Sequence, residues 1–197
     1  MTHSPPKIVV LAGPNGAGKS TSAAKLLRGA LKVDEFVNAD TIAQGLSAFA
    51  QDRVAFQAGR IMLARLAELA AARSSFGFET TLASRTYAHW LAELRATGYK
   101  VHIVFLWLSG PDEAVARVAE RVRTGGHDVP ELTIRRRYEA GLKNLVTLYM
   151  PLADSWQLND NSVMRSPRRI AVGGTDGPGK VHDALTWHAI LDRVQAP

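Results

Sequence analysis

Gly13-Pro14-Asn15-Gly16-Ala17-Gly18-Lys19-Ser20, followed by Thr21, decides how the rest of this chain is read. The stretch fits G-x-x-x-x-G-K-[ST], the glycine loop that wraps phosphate groups. Ahead of it, Lys7-Ile8-Val9-Val10-Leu11-Ala12 is a short apolar, β-branched run that reads as a buried strand. Behind it, Ala23, Leu26, Leu27 and Ala30 recur at i, i+3, i+4 and i+7, the apolar face of a helix. Strand, loop and helix arrive in the order the motif requires.

Each residue type in the loop has a physical reason. Gly13, Gly16 and Gly18 carry no Cβ, so the backbone can take positive φ and bring its N–H groups to phosphate oxygens. The helix starting near Lys19 adds unpaired N–H groups and the positive end of its dipole. The motif assigns residues 13–21 to nucleotide binding: Lys19 to the β- and γ-phosphates, and the Ser20 hydroxyl to Mg²⁺. ATP and Mg²⁺ are therefore the expected cofactors.

The whole chain sets the bounds. Its 197 residues suffice for one domain, 1–197, with a sizeable core, and 46% hydrophobic with 21% charged residues is the balance of a folded globular chain. There is no cysteine, so disulfide and thiolate chemistry are excluded. Met1-Thr2-His3-Ser4-Pro5-Pro6 has no basic and then apolar leader, and no apolar run approaches a membrane span; the expected location is cytoplasmic. The six histidines show no metal-binding spacing. A net charge of +6 raises nucleic acid as a partner, but the arginines concentrate at 117–137 without interleaved stacking aromatics. A nucleotide and an anionic acceptor account for that excess, so nucleic acid is not required.

Further elements follow the same order. Phe36-Val37-Asn38-Ala39-Asp40 reads as a second strand ending in a carboxylate. Val54 to Arg73 reads as a long helix, and Ser74 to Thr81 as a third strand ending in Glu79, Thr80 and Thr81. Ser84 is placed to cap a helix to Ala96, and Lys100–Leu108 reads as a central parallel strand covered on both faces. Ser109-Gly110-Pro111-Asp112 and Asp128-Val129-Pro130-Glu131 read as helix starts, with Gly125 and Gly126 breaking the chain between them. Arg168–Val172 reads as a last strand, residues 173–179 as turn, and Val181–Val194 as a terminal helix. Strands alternating with helices predict an α/β fold, a doubly wound parallel sheet of about five strands flanked by helices.

In such sheets ligands sit beyond the carboxyl ends of the strands, which gathers Asn15, Asp40 and Glu79 around one crevice. Phosphoryl transfer needs a base or orienting group and cations for the transition-state charge. Asp40 is the candidate base or metal-shell carboxylate. Glu79 is placed to bind a substrate hydroxyl or the hydrated metal, with Thr80 beside it; either carboxylate alone would equally serve as a helix cap or a solvated charge. Among Arg117, Arg121, Arg123, Arg135, Arg136 and Arg137, the readings favour Arg121 and Arg136 as the pair delivered to the phosphate by a helical lid at about 111–140. Most of the others suit surface ion pairs such as Glu113–Arg117.

With these residues in place the chain resembles the zeta-toxin-like P-loop kinases, a branch of the nucleoside-monophosphate-kinase-like fold. The resemblance rests on Ala12 to Thr21, Asn38-Ala39-Asp40, Phe78-Glu79-Thr80-Thr81 and Arg121 with Gly125-Gly126-His127-Asp128-Val129-Pro130-Glu131. Arg136-Arg137-Tyr138, Asn144-Leu145 and Asp160-Asn161-Ser162 extend it. It implies a P-loop kinase that moves the γ-phosphate of ATP to a small-molecule hydroxyl, with Asp40 as base and lid arginines stabilising the transferred group. Family members phosphorylate a nucleotide-sugar and are restrained by an antitoxin protein; this chain is compact for such a pocket. The rival readings are a polynucleotide or nucleotide kinase, and a nucleotide-binding switch acting through a partner.

Overall fold

The computed structural model describes residues 4–24, 33–48, 50–163 and 167–195, with Asp52 as backbone only. Strand β1 (Lys7–Ala12) runs into the glycine loop and then helix α1 (Lys19–Ala24). Leu26, Leu27 and Ala30, expected on that helix's apolar face, lie outside the described residues. β2 (Glu35–Val37), α2 (Ala39–Leu46), α3 (Gln51–Ala71) and β3 (Phe76–Thr80) follow. Then come α4 (Thr86–Ala96), β4 (Lys100–Trp107), α5 (Pro111–Arg123) and α6 (Glu131–Asn144). α6 continues as a π-turn over Leu145–Tyr149, and β5 (Ser155–Asp160), β6 (Arg168–Gly174), β7 (Gly177–Val181) and α7 (Ala184–Gln195) complete the order.

One seven-stranded sheet runs β2-β3-β1-β4-β5-β6-β7. The first five strands are parallel, and β6 and β7 turn back antiparallel. The α/β class and its parallel centre are as the sequence predicts; the count of about five is corrected to seven. β5 hides in Ser-Trp-Gln-Leu-Asn-Asp, whose alternation of Trp156 and Leu158 with polar residues is short and ends in two side chains typical of turns. β7 hides in Gly-Pro-Gly-Lys-Val, a run of breakers that forms a strand only because β6 supplies its partner. Trp156 belongs to the core at 3% exposure and stacks on Trp187 of α7, ring centres 5.8 Å apart. A side chain at Gly173 would run into that Trp156 ring, which is why the strand carries glycine there.

Four helix starts are set by local contacts. Asp40 is the second residue of α2 and not the end of a strand, because Asn38 caps the helix by accepting from Asp40 N–H (2.7 Å) and Thr41 N–H (3.3 Å). α4 begins at Thr86, with the Ser84 hydroxyl accepting from the Thr86 N–H (3.2 Å). At α5 the backbone N–H and hydroxyl of Ser109 both donate to Glu113, while Gly110 takes the cap position. Asp128 accepts from its neighbour Val129 N–H, and α6 starts after Pro130 without a side-chain cap.

β1 lies between β3 and β4, so the chain leaves the sheet in opposite directions at their carboxyl ends and opens a crevice there. Ile8, Val9, Val10 and Ala12 are fully buried on both faces of β1, anchoring the loop to the buried centre of the sheet.

Candidate phosphate-binding and transfer site

The loop is fixed from outside by its neighbours. Gly13, Gly16 and Gly18 have φ of 142°, 77° and 77°, conformations open to glycine and strained for other residues. A side chain at Gly13 would overlap the Leu106 carbonyl at the end of β4. At Gly16 it would lie 2.9 Å from Arg117 Cβ on α5, and at Gly18 3.1 Å from Asn161 Nδ2. The glycines therefore serve close packing of the loop's back as well as the approach of amides to a ligand. Asn161, buried just past β5, donates to Ala17 O (2.6 Å) and holds the loop from behind. Arg117, paired with Glu113 at 2.7 Å, donates to Ser162 O (2.5 Å) and ties α5 to the same corner. The late Asp-Asn-Ser stretch is thus a clasp for the loop, which spacing alone did not reveal.

Inside the loop Lys19 is 7% exposed and donates to Gly13 O and Pro14 O, both at 2.9 Å, with Glu79 Oε1 at 3.6 Å. Burial pulls its pKa below the ordinary lysine value; Glu79 and Asp40 pull back, and the nearby Arg121 charge adds to the lowering. These influences place Asp40 and Arg121 within electrostatic reach of the loop lysine. Glu79, on β3, takes hydrogen bonds from Ser20 Oγ (2.8 Å) and Asn38 Nδ2 (2.7 Å). Asn38 Nδ2 also approaches Ser20 Oγ at 3.4 Å. Lys19, Ser20, Asn38 and Glu79 form one connected group, and Asn38 is the member sequence reasoning left without a role.

Asp40 stands differently. It is exposed in the first turn of α2, where a negative charge suits the helix dipole, and among the described residues its carboxylate accepts no hydrogen bond. Thr80 Oγ accepts from the Leu82 N–H (3.1 Å), holding a turn in which buried Leu82 takes φ of 58°. That turn is gripped by α6: Asn144 Nδ2 donates to Leu82 O (2.8 Å), and Gly141 packs so closely on Thr81 O that any side chain there would collide. Tyr138 Oη reaches Leu108 O at 2.7 Å, so α6 is fastened to the ends of both β3 and β4.

The predicted lid arginines separate. Arg121, in the last turn of α5, donates through Nη2 to His127 O (2.6 Å), while among the described residues its buried Nε has no acceptor. Gly126 lies against this side chain, and a Cβ there would be 2.5 Å from Arg121 Cγ; Gly125 takes φ of 86°. The Gly-Gly-His turn is shaped around Arg121. Arg136 is exposed on α6, and among the described residues it makes no ion pair. Arg135 is engaged with Asp112 and Glu131.

The donor set suits Mg²⁺, which takes oxygen ligands and keeps several waters: one hydroxyl and one carboxylate, already bonded to each other, flank the loop. Among the described residues no three His, Cys, Asp or Glu side chains converge on one point, so such an ion would arrive with the phosphates of its nucleotide.

A glycine loop after the first of five parallel strands, with a lysine and serine inside it and a carboxylate at the neighbouring strand's end, defines a P-loop protein of kinase-like fold. Residues 8–140 match the family model described as an AAA domain (AAA_33), and the chain belongs to that family. A chain of the AvrRxo1-ORF1:ORF2 complex crystallised with ATP is similar over 98% of this chain and 65% of its own length, with TM-score 0.76 and 16% identity. A chain from the PezAT chromosomal toxin–antitoxin system of Streptococcus pneumoniae is similar over 98% of this chain and 85% of its own, with TM-score 0.61 and 12% identity. An uncharacterized protein of Haemophilus influenzae is 24% identical over 132 residues, 67% of this chain and 92% of that protein. The fold is that of the zeta-toxin-like P-loop kinases, as the sequence resemblance implies. No helix among the described residues is long and apolar enough to cross a membrane.

Proposed function

We propose that this protein is an ATP- and Mg²⁺-dependent phosphotransferase that moves the γ-phosphate to a hydroxyl of a small molecule. The observation that carries the reading is the bonded group Lys19–Glu79–Ser20–Asn38, with the unbonded Asp40 beside it. Amides of residues 13–19 and Lys19 hold the triphosphate, Lys19 giving up its bonds to the loop carbonyls for the phosphate oxygens. Ser20 would hold Mg²⁺, with Asp40 near enough to share its waters and Glu79 gripping them from β3. The ion would neutralise charge on the β- and γ-phosphates.

Asp40 takes the proton of the acceptor hydroxyl as its oxygen bonds to the γ-phosphorus. The bond from that phosphorus to the β–γ bridging oxygen breaks, and ADP leaves with the electron pair. Arg121, already at the loop with a free Nε–H, stabilises the transferring group; Arg136 reaches it only from the outer side of α6. Thr80, its oxygen fixed by the Leu82 amide, keeps a hydroxyl proton to offer the acceptor. A single domain with a lid near 111–140 suits this scheme, its movable part being the 124–130 turn, since α6 is fastened at both strand ends.

One structural relative is a chain of a two-protein complex and the other comes from a toxin–antitoxin system, which supports an antitoxin-like partner for this chain; the setting we propose is cytoplasmic. Isothermal calorimetry with ATP and Mg²⁺ tests the reading, followed by a mass-spectrometric screen of a metabolite extract for new phosphate esters. We expect binding that Lys19→Ala abolishes and at least one ester that needs Asp40. Equal ATP affinity in the wild type and Lys19→Ala rejects the site. Binding without any ester, together with a co-purifying partner, would instead favour a nucleotide switch.

A further inference from the structure

Asn38 is 7% exposed and uses both ends of its amide. Its Oδ1 accepts from the Asp40 and Thr41 N–H groups, and its Nδ2 donates to Glu79 Oε2 and approaches Ser20 Oγ. One side chain therefore joins three elements: the first turn of α2, the start of α1 and the end of β3. A cap alone explains only the Oδ1 half, because Ser, Thr or Asp would cap as well. An Asp cap has no proton to donate and a Ser or Thr cap has one shared oxygen on a shorter arm, whereas the amide carries a separate donor that reaches the Glu79 carboxylate at 2.7 Å while its oxygen accepts from the helix. The groups facing it are Glu79, Ser20 and Asp40, with Lys19 across Glu79.

We infer that Asn38 is a positioning residue that links the metal-phosphate side of the site to the helix turn carrying Asp40. When Ser20 turns from Glu79 toward a bound cation, Asn38 remains the donor that keeps Glu79 in place. The same amide keeps Asp40 in register with it. The inference rests on the kinase reading for its consequence and on hydrogen bonds of the free protein for its basis.

Two measurements test it and separate it from that reading. In the free protein, Asn38→Asp keeps the cap but sets a carboxylate against Glu79, so we expect a lower melting temperature. Adding Glu79→Gln restores it by reversing the hydrogen bond, a non-additive pair. Additive losses overturn the assignment, whether or not the protein binds nucleotide. The second measurement uses Asn38→Ser, which caps but cannot reach Glu79, with ATP titrated with and without Mg²⁺ and amide exchange followed at residues 39–43. In the wild type Mg·ATP slows exchange at residues 40 and 41. In Asn38→Ser that protection disappears and the gain in ATP affinity from Mg²⁺ drops about 10–100-fold, the range for groups behind a metal's ligands. A serine variant with unchanged protection and unchanged Mg²⁺ dependence reduces Asn38 to a cap. Failure of the wild type to bind ATP removes the kinase reading and leaves the free-protein pair to decide the role of Asn38.

Discussion

The two walls of the crevice are built on opposite terms. On the wall formed by the loop, β3 and Asn38, the bonded group is matched, Lys19 to two carbonyls and Glu79 to Ser20 and Asn38, and among the described residues only the buried Asn15 Oδ1 of the loop lacks a donor. On the wall formed by α2 and α5, among the described residues, the exposed Asp40 carboxylate accepts no hydrogen bond and Arg121 has a buried Nε without an acceptor. Matched groups suit holding something in place; the unmatched buried Nε of Arg121 is costly unless a ligand completes it, and the exposed Asp40 carboxylate is open to a ligand. The difference supports the proposed division between residues that hold a ligand and residues that act on it.

Breaking the open wall has the largest expected effect. Asp40→Asn lowers transfer by about 10²–10⁴-fold, the usual worth of a general base, while ATP affinity by calorimetry stays near the wild-type value. A parallel fall in ATP affinity would move Asp40 to the holding wall. Arg121→Ala lowers transfer by about 10²–10³-fold, as for the loss of one donor to developing charge. Arg136→Ala, compared in the same assay, costs much less; equal losses would undo the ranking drawn from their surroundings.

The holding wall responds more mildly and in a different quantity. Glu79→Gln weakens the Mg²⁺-dependent part of ATP binding by about 10–100-fold, read by titrations with and without the ion. A variant that loses transfer alone would place Glu79 with the acceptor. The smallest effect concerns the back of the loop. Gly13→Ala forces φ of 142° on a residue with a Cβ against the Leu106 carbonyl and costs about 1–3 kcal/mol, seen as a lower melting temperature.

Those walls were unevenly legible in the sequence. Local signals were enough for Lys19, Ser20, the parallel centre of the sheet and the carboxylates at 40 and 79, because a glycine loop between a strand and a helix is specified by neighbouring residues. What stayed hidden depends on contacts between distant segments. Asn161 reaches Ala17 across 144 positions of chain, and β7 is a strand only against β6. Asn38 was visible as part of a short run, yet its second hydrogen bond, to Glu79, lies 41 positions away. The different surroundings of Arg121 and Arg136, read together as a lid pair, likewise depend on the Gly-Gly turn folding back over one of them.

The last hairpin leaves β7 as an outer rim of the sheet. Pro178 supplies no amide proton, Gly177 and Gly179 offer no side chain to grip, and Lys180 carries charge along the same short strand. A stray strand drifting to that border would find a broken ladder and an unwelcome cation. Growth of the sheet by stacking copies edge to edge is thereby discouraged on the side farthest from the crevice.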